Sequence, residues 1–195
     1  MNFPLKLEFK KIALSPQISV IDSNGELLFY VKQKLLKIKE EITVFDDRAQ
    51  QIPLYQIKAD RVIDYSARYN FTDMNGLNVG SVRRQGTKSL WKAHYDIADA
   101  NGMDMFTVQE ENPWVRMMDG FFGDLPFIGF LSGYVFNPVF FVLHPDGQPI
   151  FRVKKEPSIF ESSFSVEKLN EVSEAEQTTA VLSMLMMVLV ERTRG

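Results

Sequence analysis

Three stretches rich in lysine and arginine are the part of this sequence with the clearest chemistry. The candidate set comprises Lys32, Lys34, Lys37, Arg83, Arg84, Lys88, Arg152, Lys154 and Lys155. Because each cation near an anionic membrane surface contributes about 1 kcal/mol of attraction, these stretches favour binding of phospholipid head groups. The alternative is that they are solvated strand ends whose charges protect sheet edges from aggregation.

Aspartate and asparagine recur together in a short motif, Asp-x-Asn-Gly. It occurs at Asp22–Gly25, Asp73–Gly76 and Asp99–Gly102. Oxygen ligands of this kind suit calcium, but an EF-hand requires a longer loop with a later bidentate glutamate. The motif matches a hairpin turn better, because Asn and Gly both tolerate a positive φ. We therefore assign these residues to turns and predict no metal site.

The sequence contains no pattern that supports a defined enzymatic reaction. It has no cysteine and only two histidines, His94 and His144, which we interpret as structural. The G-x-S-x-G, P-loop, G-x-G-x-x-G and H-E-x-x-H motifs do not occur. We predict a non-enzymatic protein without a cofactor.

Composition is that of an ordinary globular protein. The 195 residues are 45% hydrophobic and 24% charged, with a net charge of −3. This balance gives no global attraction to nucleic acid, so we expect no nucleic-acid partner. The amino-terminal residues alternate apolar and charged types, unlike a signal peptide. The expected location is cytoplasmic, with peripheral contact at the inner membrane surface left open.

The Asp-x-Asn-Gly motifs belong to a repeating hairpin. With a similar polar break at Asp46–Gln50, the first aspartates of the breaks fall at positions 22, 46, 73 and 99. This spacing is regular enough to indicate an internal repeat. A fifth hairpin is predicted around His144–Gly147, between Val139–Leu143 and Ile150–Val153. Further short strands are predicted at Leu5–Phe9, Leu35–Ile38, Val62–Tyr65, Ser89–Lys92 and Ile159–Val166.

The residues before each turn alternate as in a strand with one buried face. The positions four and two residues before each aspartate are apolar, with mostly polar neighbours between them. They are Ile18 and Val20, Ile42 and Val44, Tyr69 and Phe71, and Tyr95 and Ile97. The predicted strands number about twelve, at which point an open sheet tends to curl or split.

The last segment predicts a buried helix over residues 173–194. Ser173 and Glu176 have the spacing of a capping box. Ala180–Val190 follows with Ser183 as its only polar residue, and a helix that is apolar all round needs burial on every side. A barrel of about a dozen strands is too wide for its own side chains to fill. We predict that this helix occupies the centre of the barrel.

Methionines form two groups with different expected roles. Met184, Met186 and Met187 suit the helix, because flexible thioethers fill irregular gaps. A second group lies near the fourth hairpin and either packs in the core or lines an adaptable binding surface. Its members are Met103, Met105, Met117 and Met118.

One segment, Gly120–Pro138, breaks the repeat and is rich in aromatic residues, glycine and proline. Glycine and proline at this density argue against a regular helix. Three interpretations are open. The segment is an ordered connection over one barrel mouth, an aromatic loop that dips into a membrane interface, or part of a membrane hairpin with the last helix.

Together these features resemble the tubby-like superfamily, which includes the tubby C-terminal domain, the phospholipid scramblases and the LURP-one-related proteins. The resemblance is carried by Asp22–Val31 with Lys32–Lys34, by Tyr95–Gly102 and by Ala180–Val190. LURP-one-related and small bacterial members are the most similar. The resemblance implies a closed barrel around a hydrophobic C-terminal helix. It also implies membrane-linked roles, namely phosphoinositide binding in tubby and disputed lipid movement in the scramblases.

We therefore expect residues 1–195 to form one mainly β domain, a closed antiparallel barrel of about twelve strands around its last helix. The expected function is a non-enzymatic binding module that engages anionic phospholipid or a protein partner. Two alternatives are a membrane-inserted, scramblase-like lipid transporter and an enzyme with a pocket at the barrel mouth.

Overall fold

A computed structural model of the chain describes residues 1–10, 17–32, 41–61, 67–85, 94–111, 139–156 and 161–192. These ranges contain twelve strands and one helix. The strands are β1 (Leu5–Lys10), β2 (Gln17–Ile21), β3 (Leu27–Lys32), β4 (Glu41–Phe45), β5 (Pro53–Ala59), β6 (Arg68–Asp73), β7 (Asn78–Arg84), β8 (His94–Ala98), β9 (Asp104–Glu110), β10 (Val139–Leu143), β11 (Pro149–Glu156) and β12 (Glu161–Lys168). The helix, α1, spans Glu174–Arg192.

The twelve strands form one closed antiparallel barrel. Each strand pairs with its neighbours in chain order, and the barrel closes where β1 pairs with β12. Leu5 lies opposite Val166 at this closure, and Leu7 lies opposite Phe164. The fold class predicted from the sequence is therefore confirmed.

Ten of the strands are the arms of the five predicted hairpins, and β1 and β12 are the strands predicted at the two ends of the chain. Four other predicted segments lie wholly outside the described residues. They are Leu35–Ile38, Val62–Tyr65, Ser89–Lys92 and Gly120–Pro138.

The hairpin turns repeat the same hydrogen bonds. Asp73 Oδ1 accepts from the amides of Asn75 at 2.9 Å and Leu77 at 2.8 Å. Asp99 Oδ1 accepts from Asn101 and Met103 at the same two distances. Glycine at the fourth position takes a positive φ, for example +82° at Gly76, which side chains disfavour. These carboxylates are therefore engaged by the backbone, as turn chemistry predicts.

The alternation predicted for the strands is present in the barrel. Each of the eight apolar residues at four and two positions before the turns is buried, with at most 8% of its surface exposed. These side chains belong to one hydrophobic cluster that also contains the residues of α1. The interior of the barrel is therefore the core of the protein.

The helix α1 begins with the predicted capping box. The Ser173 amide donates to Glu176 Oε2 at 2.8 Å, and the Glu176 amide donates to Ser173 Oγ at 3.3 Å. Every residue from Ala180 to Leu189 is at most 6% exposed, so the helix is covered all round. Burial of these side chains contributes well over 10 kcal/mol before conformational entropy is subtracted, at ~1.5–3 kcal/mol for each large one.

Two buried polar residues of α1 form hydrogen bonds to backbone carbonyls. Ser183 Oγ donates to the Thr179 carbonyl at 2.7 Å, and Thr179 Oγ1 donates to the Val79 carbonyl of β7 at 2.8 Å. Next to this bond, a Cβ on Gly80 would lie 2.5 Å from Thr179 Cγ2. Glycine at position 80 therefore allows the helix to approach β7 closely.

Candidate functional site

The barrel has two ends with different chemistry. We call one of them the turn end, because it holds the five hairpin turns and the connection from β12 to α1. These segments are 22–26, 46–52, 73–77, 99–103, 144–148 and 169–173. The basic end is the opposite one, where β3, β7 and β11 finish.

Five of the nine predicted phosphate-binding residues lie at the basic end. Lys32 is the last residue of β3, and Arg83 and Arg84 are the last two of β7. Lys154 and Lys155 are close to the end of β11, which finishes at Glu156. The hairpin repeat thus brings cations from three distant parts of the sequence to one end of the barrel.

The remaining four predicted residues are placed differently. Arg152 lies in the middle of β11, opposite Phe141 of β10, and its Nη2 is 2.7 Å from Glu167 Oε2 of β12. It therefore belongs to the side of the barrel and already has an anionic partner. Lys34, Lys37 and Lys88 lie outside the described residues.

The cations of the basic end form a ring and not a single cluster. In the circular strand order, β3, β7 and β11 are each four strands apart, which divides the twelve-strand circumference into thirds. With strands about 4.8 Å apart and tilted by about 40°, such positions are roughly 20 Å from one another. One small anion cannot contact all three strands at once.

Exposure and pairing differ among these cations. Lys32, Arg83 and Lys154 are exposed, and Lys155 is half-buried. Lys154 Nζ lies 3.8 Å from Glu156 Oε1. Lys32, Arg83 and Lys155 form no ion pair with any residue of the described ranges. These three charges are therefore available to an external anion.

The barrel closure removes one explanation for these charges. Lysine on an edge strand prevents pairing with another sheet, which was the alternative drawn from the sequence. In the closed barrel β3, β7 and β11 each have a neighbour on both sides. Because a closed barrel has no edge strand to protect, protection from edge-to-edge pairing does not account for the basic end, and the alternative reduces to solvated strand ends.

The turn end has the opposite charge. The six segments that define it contain eight Asp and Glu side chains against one cation, Arg48. The whole chain has a net charge of only −3. The turn end is therefore the acidic end of the barrel, whereas the basic end combines its cations with acidic residues such as Glu41, Glu110 and Glu156.

The turn aspartates have lowered pKa values. For Asp73, the hydrogen bond from the Leu77 amide lowers the pKa most, desolvation opposes it, and the Asn75 amide lowers it further. The pKa of Asp99 is lowered in the same way by the Met103 and Asn101 amides. Both side chains therefore remain charged at neutral pH and maintain the acidity of the turn end.

The two histidines lie near aspartates on the surface. His94 Nε2 is 3.8 Å from Asp96 Oδ1, and His144 Nδ1 is 3.1 Å from Asp146 Oδ1. In the part of the chain that the structure describes, no three potential metal ligands come together. Within that same part, no helix combines the length and hydropathy needed to cross a bilayer.

Comparisons with known proteins identify the family of the chain. The family model described as LURP-one-related matches residues 27–133, which is more than half of the chain. An X-ray structure of a protein from Arabidopsis thaliana is similar with a TM-score of 0.48 and 12% identity, covering 98% of this chain and 92% of that chain. No curated protein matches the sequence.

Proposed function

We propose that this chain, which belongs to the LURP-one-related family, is a non-enzymatic module that binds anionic phospholipid surfaces through the basic end of its barrel. The observation that carries the proposal is the ring of cations at the ends of β3, β7 and β11. It lies opposite a turn end with eight acidic residues and one cation.

The charges of the basic end favour a membrane over a soluble anion. At about 1 kcal/mol for each cation, the three available cations together contribute about 3 kcal/mol, which suits reversible membrane attachment. Separations of roughly 20 Å between strands suit several head groups of one lipid surface. A single soluble phosphate compound would meet the cations of only one strand.

The difference in charge between the two ends would also orient the protein on a membrane. An anionic surface attracts the basic end and repels the turn end, and both effects fade beyond a Debye length of about 8 Å. The apolar residues from Ala180 to Leu189 of α1 are buried in one cluster with residues of the strands, so they are not available to lipid. These features support peripheral attachment over the inserted, scramblase-like alternative.

Vesicle flotation tests the proposal. The native chain is mixed with phosphatidylcholine vesicles containing either no anionic lipid or phosphatidylserine, at low and at physiological salt. We expect flotation only with the anionic vesicles, and we expect it to weaken as salt rises because exposed charges are screened. Equal flotation with both kinds of vesicle, or with neither, would contradict the proposal.

Two charge-reversal variants distinguish an effect of the basic end from an effect of the net charge of the protein. The test variant carries Lys32→Glu and Lys155→Glu, at the ends of β3 and β11. The control carries Lys6→Glu on β1 and Arg48→Glu at the turn end, so both variants change the net charge equally. We expect the test variant to lose anionic flotation and the control to retain most of it.

A soluble competitor distinguishes the lipid surface from its isolated head group. Glycerophosphoserine carries the same charged groups but cannot bridge three strands. We expect it to displace the protein only at concentrations far above those of the vesicle lipid. Displacement by an equal concentration would indicate a single-head-group site.

A further inference from the structure

Exposed apolar side chains are concentrated at the turn end. Six large hydrophobic residues of the described ranges are substantially exposed, and each of them lies at this end. They are Met1, Ile52, Met74, Leu77, Met103 and Leu169. Scattered exposed hydrophobic residues are ordinary, but a concentrated group marks an interaction surface.

Four of the six form an arc over three consecutive turns. Met103 lies in the β8–β9 turn, Met74 and Leu77 lie in the β6–β7 turn, and Ile52 lies in the β4–β5 turn. Neighbouring hairpin turns of the barrel are roughly 10 Å apart. The first two are joined directly by a hydrogen bond from Asn78 Nδ2 to the Ala100 carbonyl. We call these four residues the apolar arc.

Turn geometry does not require the apolar arc. In the β2–β3 turn the position four residues after the aspartate is Glu26, and its amide donates to Asp22 Oδ1 at 3.1 Å. Leu77 and Met103 occupy the same position and make the same bond through their backbone amides. The turn forms equally well with a charged residue at this position. Its geometry therefore does not explain why Leu77 and Met103 are apolar and 66% and 63% exposed.

We propose that the apolar arc is the docking surface for a basic amphipathic segment of a protein partner. The choice of partner rests on charge complementarity. The arc is surrounded by the acidic turns, and the first turn of α1 adds the exposed Glu174 and the partly exposed Glu176. A segment with apolar residues on one side and lysine or arginine beside them would satisfy both features. The flexible methionines of the arc would adapt to its side chains.

Two other occupants fit this surface poorly. An anionic membrane would be repelled by the acidic turns, which keeps this surface separate from the one proposed to bind lipid. The turn end of a second copy would bring two acidic surfaces together, and like charges opposed at an interface are unfavourable. The basic end of a second copy is the remaining competitor, and the experiment includes it.

Binding of a synthetic peptide tests the proposal on the intact chain. The probe is a fluorescein-labelled peptide of leucine and lysine in amphipathic helical order, and its matched control has glutamine in place of leucine. We expect the native chain to bind the probe at least about tenfold more tightly than the control peptide. A variant with Met74→Gln, Leu77→Gln and Met103→Gln should lose that difference.

Charge variants of the opposite end complete the design. The Lys32→Glu and Lys155→Glu variant should bind the probe at least as well as the native chain while it fails to bind vesicles. The three-glutamine variant should bind vesicles as the native chain does. A failure of the lipid proposal would therefore leave the peptide result unaffected, and the reverse also holds.

Three results would overturn the proposal. The first is equal binding of the probe by the native chain and by the three-glutamine variant, and the second is equal binding of both peptides. The third is concentration-dependent self-association in sedimentation that the three-glutamine variant abolishes, which would identify a second copy as the occupant. Hydrogen exchange on the native chain adds a test without substitution, since the probe should protect amides in 73–77 and 99–103.

Discussion

The two ends of the barrel differ in which side chains the fold uses and which it leaves free to bind a partner. At the turn end the charged residues are used by the fold, because Asp73 and Asp99 accept hydrogen bonds from the backbone. At the basic end Lys32 and Arg83 have no ion pair within the described ranges. The apolar residues of the turn end are likewise unused. A side chain that the fold does not need is the better guide to function.

Both ends of the barrel depend on the same hydrophobic core. The helix α1 follows the last segment of the turn end, is bonded to Val79 through Thr179, and lies in the core of the barrel. Any change that destroys its packing should therefore remove the properties of both ends together. A change confined to one end should leave the other end intact.

The largest effect is expected for Leu185→Asp. Leu185 is fully buried, and an unpaired carboxylate there would cost more than about 4 kcal/mol. Because a domain has a total stability of only about 5–15 kcal/mol, we expect the variant to unfold and to lose both vesicle and peptide binding. Circular dichroism melting checks this, with Leu185→Met as the control of similar volume. A Leu185→Asp chain that melts like the native protein would show that the helix is not in the core.

An intermediate effect is expected for Gly80→Ala. A new Cβ would lie 2.5 Å from Thr179 Cγ2 and 2.6 Å from the Ala98 carbonyl oxygen, and overpacking of this kind costs about 1–3 kcal/mol. Gly80 also has a φ of +147°, which adds backbone strain.

The matched control for that substitution is Gly102→Ala. Gly102 has a φ of +81° but no atom within 4 Å of its added Cβ, so only the backbone cost of about 1–2 kcal/mol applies. Urea unfolding should therefore give a larger loss of stability for Gly80→Ala. Equal losses would mean that α1 does not press on β7.

The smallest effect concerns the turn aspartates and pH. The pKa of Asp73 is lowered in the folded protein, first by the Leu77 amide. The stability that this carboxylate contributes is therefore present above its unfolded pKa of about 3.9 and lost as the pH falls through its lower folded pKa. We expect the melting temperature of the native chain to exceed that of Asp73→Ala at neutral pH.

The same measurement at low pH is the control for that prediction. Below the folded pKa of Asp73 the carboxylate is protonated in both states, and its charge no longer contributes. The difference in melting temperature between the native chain and Asp73→Ala should therefore narrow as the pH is lowered below about 4. A difference that stays constant down to about pH 2 would show that the charge of Asp73 does not stabilise the turn.

Local features of the fold could be predicted from the sequence because they depend on residues close together in the chain. The Asp-x-Asn-Gly turns, the buried positions such as Phe71 and Ile97, and the capping box of Ser173 with Glu176 all follow from local rules. Because a helix that is apolar all round must be covered on every side, the sequence also predicted a barrel that encloses α1. The second hairpin closes at the predicted Asp46, whose amide donates to the Ile52 carbonyl at 3.1 Å. Within its longer turn the side chain of Asp47 accepts from the Gln51 and Ile52 amides.

Each basic stretch follows the second strand of a hairpin in the sequence, which predicts that several of them gather at one end of the barrel. Their spacing around that end depends on pairing over long distances and was not predicted. Only the order of twelve strands puts β3, β7 and β11 a third of the circumference apart. The register of β11 on β12 puts Arg152 opposite Glu167 and removes it from the basic end. The apolar arc did have a local signal, since Leu77 and Met103 follow their Asp-x-Asn-Gly motifs where the first motif is followed by Glu26.

The most direct measurement of the central claim is the depth of each barrel end at a membrane surface. The chain has no cysteine, so a single fluorophore can be attached at Gln85→Cys near the basic end or at Ala100→Cys in the β8–β9 turn. Both positions are exposed. With anionic vesicles carrying a head-group quencher, we predict strong quenching at position 85 and little at position 100. Equal quenching at both positions, or stronger quenching at position 100, would contradict the claim that the basic end meets the membrane.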